Sequence, residues 1–223
     1  MSQQTQPRVK VKTRLPARPF PPNSERPHIR TERLILSPFV LDDLDGIHAL
    51  RRQPEVMIFT LTGRIDADKA ETLTFMARFM APNDADTYNY VIRLASTGEI
   101  IGAGGVLRHS NFFGWPEVGY MFKREHWGQG YASEFLKGYL DHWWALPRVE
   151  AEVEVDRDSA GEPGDVPEML TAIVDDGNPG SKRVLEKAGF RVFRRWAEPD
   201  SREGFSGDVN LVGFVLSSTA KNN

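Results

Sequence analysis

Glu117 to Leu140 reads EVGYMFKREHWGQGYASEFLKGYL, and the order of its parts decides the fold. A strand-like run, Glu117 to Phe122, delivers the chain into a loop, Lys123 to Gly130, and a helix follows at once from Tyr131 to about Leu146. Gly128 and Gly130 permit positive φ and let backbone N–H groups converge with no side chain in the way. The new helix adds unsatisfied N–H groups and the positive end of its dipole. Together these make an anion site suited to a phosphate or pyrophosphate. Two commoner phosphate loops do not fit. No Gly, four residues, Gly-Lys-Ser/Thr string occurs, and a dinucleotide fingerprint needs glycine where this chain has Ser133.

Outward from that loop, strands outnumber helices. Thr31 to Phe39 alternates polar and apolar residues, and Tyr88 to Ala95 and Glu99 to Arg108 flank the turn Ser96-Thr97-Gly98 as a hairpin. Helices are expected from Asp42 to Arg52, Asp66 to Met80 and Asn178 to Ala188, the last closed by Gly189. Phe190 to Ala197 and Asp208 to Ser217 read as the closing strands. Between them Val149 to Val155 and Glu168 to Val174 both have strand character, separated by a polar stretch rich in Gly and Pro. Several strands adjoin without an intervening helix. The expectation is an α/β (α+β) domain: a mixed, mostly antiparallel sheet of about seven strands flanked by helices, not an alternating doubly wound fold.

The 223 residues suit one such domain with extensions, from 28 to 223. Residues 1–27 look different. Arg8, Lys10, Lys12, Arg14 and Arg18 occur there with no acid up to Ser24, among Pro7, Pro16, Pro19, Pro21 and Pro22. The segment reads as a solvated or partner-draped arm, with an organellar presequence or a polyanion-binding arm as alternatives. A formal charge of −3 argues against a general nucleic-acid binder. The chain has no cysteine, which excludes disulfides, thiolate metal sites and a cysteine nucleophile. His28, His48, His109, His126 and His142 lack the spacing of a metal site, so no metal is expected. No apolar run approaches the roughly 18 residues of a membrane span, and the first ten residues lack a signal-peptide centre. A soluble cytoplasmic protein is expected, with a homodimer possible.

The segment Trp127-Gly128-Gln129-Gly130-Tyr131-Ala132-Ser133-Glu134 resembles the coenzyme A loop of the GNAT superfamily of N-acetyltransferases, in the branch that includes the ribosomal-protein alanine N-acetyltransferases. Three more segments agree in family order: Thr31-Glu32-Arg33-Leu34, Glu117-Val118-Gly119-Tyr120, and NPGSKRVLEKAGF from Asn178 to Phe190. The likeness covers roughly Thr31 to Ala197. It implies acetyl-CoA as cosubstrate, a primary amine (a protein N-terminus or a small molecule) as acceptor, and a pair of strands splayed apart at the coenzyme site. The family pattern Gln/Arg-x-x-Gly-x-Gly/Ala falls on Trp127, Gly130 and Ala132, and Trp127 departs from it, so a packing role beneath the loop is expected there. By the same resemblance Met121 and Phe122 offer backbone groups to the pantetheine arm, and Asn178 both caps its helix and reaches the coenzyme. The strand that splays is then Glu168 to Val174, and 148–167 becomes an insertion whose acids, Glu150 to Asp165, are either a solvated flap or an attractor of cationic substrate.

Acetyl transfer to an amine needs a base, a donor for the thioester oxygen and relief for the departing thiolate. Glu117 stands where the family places a carboxylate facing the acyl group and is the candidate base; Glu134, in the first helical turn, reads as a structural acid. The oxygen falls to strand N–H groups near Met121. Many relatives carry a tyrosine to meet the thiolate, but the matching position here is Leu185, which leaves Ser181 as the candidate donor. Two other readings stay open: a catalytically weak acyl-CoA-binding or interaction protein, and a nucleic-acid binder using the basic arm.

Overall fold

Residues that alternate in burial along the chain become strands, and stripes of apolar residues at helical spacing become the helices laid on them. The computed structural model describes residues 7–160 and 164–219. Its elements begin with β1 (Arg8–Pro16), β2 (Ile29–Arg30), β3 (Leu34–Pro38), α1 (Leu44–Arg51), α2 (Pro54–Met57) and α3 (Lys69–Ala77). A meander follows: β4 (Tyr88–Leu94), β5 (Ile100–Arg108) and β6 (Glu117–Phe122). After α4 (Tyr131–Ala145) come β7 (Arg148–Asp156), α5 (Arg157–Ala160), β8 (Gly164–Asp165), β9 (Met169–Asp175), α6 (Pro179–Lys187), β10 (Arg191–Pro199) and β11 (Asp208–Ser217).

The main sheet runs β10-β11-β9-β6-β5-β4-β3-β2, eight strands of which β2 is a two-residue edge. Every pairing in it is antiparallel except β6 with β9. On one face α4 and α6 bury Phe135, Leu136 and Leu185 against Leu34, Leu36, Tyr90 and Leu170. On the other α1 and α3 bury Ile47, Leu50 and Met76 against Phe39, Val91 and Ala103. No helix is long and apolar enough to cross a membrane among the described residues.

The arm is where the structure departs from the sequence reading. Residues 8–16 are not a solvated tail. They form β1, paired antiparallel with β7 over their whole length and flanked by β8 in a second, three-stranded sheet. The reason is local. RVKVKTRLP alternates strictly, and the flanking prolines lie outside it or at its last residue, so Val9 and Val11 turn inward onto Phe113, Trp115 and Val155. The register sets Lys10 opposite Glu154, Lys12 opposite Glu152 and Arg14 opposite Glu150. Nor is the insertion a solvated flap: Val149–Val155 and Glu168–Val174 are both strands, in different sheets. Its acids face the arm's cations or, as Asp156 does at 2.5 Å, hold Arg194. Residues 1–6 of the arm, and Glu162 of the insertion, lie outside the described residues.

Candidate functional site

β6 and β9 share one rung. Glu117 registers with Thr171, and Thr171 N–H donates to the Pro116 carbonyl at 2.9 Å; beyond that point the parallel strands pair no further. This is the splay that the resemblance implied, and the strand expected over Glu168 to Val174 is β9, Met169–Asp175. The ladder between β5 and β6 tells which backbone groups face the opening. Lys123 N–H donates to the Ile101 carbonyl, so with Gly102 opposite Phe122 the alternation sends the backbone groups of Gly119 and Met121 to β5. Those of Tyr120 and Phe122 point the other way, into the gap. Of the two residues expected to offer backbone groups, Phe122 borders the opening, whereas Met121 is occupied by its ladder and Tyr120 stands in its place.

The loop at the far end of β6 is braced from every side. Trp127 donates its indole N–H to the Phe122 carbonyl at 2.7 Å while the residue stays 43% exposed. It pins the loop to the strand end from outside and does not pack beneath the loop as the sequence reading expected. Gln129 Nε2 donates to the Glu125 carbonyl, and Arg33 Nη1 donates to that of Gln129. Glu134 accepts from Thr31 Oγ1, Arg33 N and Arg33 Nε at 2.6 to 2.7 Å, which makes it the structural acid expected. Gln53, at the α1–α2 junction, accepts from Arg124 N and donates to Glu125, tying the first helices to the loop. An open groove of about 610 Å³ lies there, between Arg52–Glu55 and Arg124, Glu125 and Trp127.

Within this frame Gly128 and Gly130 take φ of 73° and 83°, the left-handed region that favours glycine. Gly130 caps α4 without a side chain, so the amides of Tyr131 and Ala132 in the first turn have no intrahelical partner. A Cβ built on Gly128 meets nothing within 4 Å. The cradle is open to a ligand, and its donors, rigidity and dipole suit a pyrophosphate.

At the splay point Glu117 keeps 14% of its side chain exposed, with Arg108 Nε 3.7 Å from its carboxylate. Burial pushes the carboxyl above its ordinary range, against the pull of Arg108 and a hydrogen bond with Asn111. Asn111 in turn donates to Thr171 Oγ1 at 3.0 Å, so the carboxylate sits in a fixed polar knot. Across the gap Asn178 accepts from Ser181 N–H at 3.0 Å and caps α6, which commits its carbonyl and leaves its NH₂. Ser181 Oγ lies 3.1 Å from the Tyr120 hydroxyl. The structure thus gathers Glu117, Tyr120, Phe122, Asn178 and Ser181 around one opening, with Trp127 to Ala132 at its end. Sequence reasoning missed Arg108, Asn111, Gln53 and Tyr120 as site residues. Tyr120 lay in a quoted motif, while the others carry no local signature.

Glu99, Glu125 and His126 bring ligand atoms within 4.8 Å of one another, a convergence that histidine spacing did not show. Lys123 Nζ donates to Glu99 at 2.9 Å, so that cluster already holds a cation of the protein's own.

Residues 33–191 match the family described as acetyltransferase (GNAT) domain. The chain belongs to the GNAT acetyltransferases. A relative named uncharacterized N-acetyltransferase p20, from Bacillus licheniformis, is 31% identical over 129 residues, 56% of this chain and 71% of that one. Two solved structures share the fold. Spermidine N-acetyltransferase from Vibrio cholerae, in complex with CoA and spermine, aligns with a TM-score of 0.64 at 16% identity over 86% of this chain and 100% of its own. Mycobacterium smegmatis RimJ, in complex with CoA-disulfide, aligns with a TM-score of 0.63 at 18% identity over 85% and 84%. As a GNAT acetyltransferase this chain is an acyltransferase, and the fold implies transfer of an acetyl group from acetyl-CoA to an amine.

Proposed function

We propose that this chain acetylates a primary amine, on a small molecule or a protein N-terminus, by direct attack of the amine on acetyl-CoA. The observation that carries the reading is the single rung between β6 and β9, which leaves an unpaired strand edge, a buried carboxylate and an open anion cradle in one line. The open edge of β6, the first amides of α4 and the Asn178 amide would hold the coenzyme. Acetyl-CoA supplies an acyl carbon activated as a thioester, whose C–S bond breaks with its electron pair leaving on sulfur as the amide C–N bond forms.

Glu117 takes the proton that the ammonium must lose. An alkylammonium has a pKa near 10.4, and a carboxylate whose own pKa is raised by burial is the stronger base for it. Tyr120 and Phe122 N–H groups stand where negative charge develops on the acyl oxygen. Ser181 O–H meets the departing sulfur. The coenzyme is the expected donor because the loop offers main-chain donors without asking anything of a side chain at position 127.

The test is acetyl-CoA-dependent release of free thiol across a panel of amines, polyamines and N-terminal peptides, with wild type beside Glu117→Gln. Turnover on at least one amine, lost in the variant while coenzyme binding persists, supports the reading. Coenzyme binding with no turnover on any amine favours the other reading, a binding protein that keeps the fold.

A further inference from the structure

The helical position where relatives carry a tyrosine is Leu185 here, yet a tyrosine from the strand, Tyr120, reaches Ser181. Tyr120 leaves β6 on the α4 face, its ring 5.9 Å from Phe135 and 6.4 Å from Phe122. At its root Gly104 of β5 registers opposite it, and a Cβ there would lie 2.7 Å from both the Tyr120 Cβ and the Phe135 ring. The ring is therefore wedged in place. Its hydroxyl lies 3.1 Å from Ser181 Oγ and 3.3 Å from the Ser181 carbonyl. Ser181 is held from the other side by Asn178, through its amide.

Two hydroxyls in contact must decide which one donates. The Ser181 carbonyl can only accept from the phenol, but at 3.3 Å it is the farther of the two and lies inside α6, where the helix supplies its own amide donor. The phenol, the stronger acid, therefore gives its proton to the nearer Ser181 Oγ, and the serine proton is then free for a second partner. We propose that Tyr120 is a positioning residue for the leaving group: by donating to Ser181 Oγ it turns the Ser181 proton toward the coenzyme sulfur. This rests on the role given to Ser181 above. Burial pushes the Tyr120 phenol to about 12, partly offset by its bond with Ser181, and an ordinary thiol lies near 8.5. Proton transfer from the phenol to the thiolate is therefore uphill. The pair stabilises the anion by hydrogen bonding, the sulfur leaves as thiolate, and solvent protonates it after release.

A binding experiment reads this without turnover. CoA and desulfo-CoA are titrated calorimetrically into wild type, Tyr120→Phe, Ser181→Ala and the double variant at pH 7 and pH 9, where the thiol ionises and Tyr120 does not. Wild type is expected to prefer CoA over desulfo-CoA about tenfold more at pH 9 than at pH 7, the order expected of a hydrogen bond to a charged acceptor. Ser181→Ala abolishes that gain, Tyr120→Phe reduces it about three- to fivefold, and the double variant matches Ser181→Ala. Desulfo-CoA affinity and the far-UV circular dichroism of Tyr120→Phe stay with wild type. A Tyr120→Phe gain equal to wild type, or a Ser181→Ala gain that persists, overturns the proposal. Should wild type bind neither ligand, the coenzyme reading falls and takes this one with it; binding and acetylation without any pH 9 gain sink this inference alone.

Discussion

Glu117 and Thr171 form the last rung between β6 and β9, and the groups of the proposed reaction lie at or beyond it. The carboxylate is buried by the same closure that ends there, which is why its pKa rises.

The charge balance at Glu117 makes the pH profile a direct probe. Arg108 pulls its pKa down against burial, so removing Arg108 lets it rise further. In Arg108→Met the acid limb of kcat/KM against pH is expected to move to higher pH than in wild type. A limb that stays put or moves down contradicts Glu117 as the base.

Replacing Glu117 by Gln keeps shape and removes the base. Loss of about 10²- to 10⁴-fold in kcat is expected, the usual range for general base catalysis. The calorimetric affinity for acetyl-CoA should not change. A full-rate variant removes this residue from the mechanism.

Glu168 gives a prediction about stability. Burial pushes its carboxyl up to about 7, against Arg148 at 3.0 Å and a hydrogen bond from Trp143. Its folded pKa lies above the unfolded value near 4.5, so its contribution is complete below pH 4.5 and lost as pH rises through 7. The loss is on the order of 3 kcal/mol. The thermal midpoint of wild type should therefore fall more between pH 5 and pH 8 than that of Glu168→Gln. Parallel curves would refute the assignment.

The candidate coenzyme loop was legible because its chemistry is local: Gly128, Gly130 and the helix start lie within a few residues of one another. Glu134 was legible for the same reason. β1 was not, since its partner β7 lies some 140 residues on, and five prolines outweighed a short alternation in the reading. Tyr120 and Ser181 are 61 residues apart and meet only because α6 folds back over β6. Arg108 and Asn111 were unreadable as site residues because the turn before β6, not any motif, returns them to Glu117. The replacement of Met121 by Tyr120 beside Phe122 follows from strand register, which sequence alone does not fix.

The strand reading of the arm makes its own prediction. Val11 is 1% exposed between the two sheets, so Val11→Asp buries an unpaired charge and should cost upwards of about 3 kcal/mol in urea unfolding. Lys12→Glu, on the outer face against Glu152, should cost about 1 kcal/mol or less. Equal and small effects would return the segment to a solvated tail.

The central claim is that the loop after β6 is a coenzyme cradle. Titration calorimetry of acetyl-CoA into wild type and Gly130→Glu tests it most directly, because the substitution puts a carboxylate into the anion site at a residue whose φ is 83°. Micromolar binding by wild type, abolished in a variant that keeps its far-UV circular dichroism, is the predicted result. No heat from well-folded wild type, or equal binding by both proteins, would contradict it.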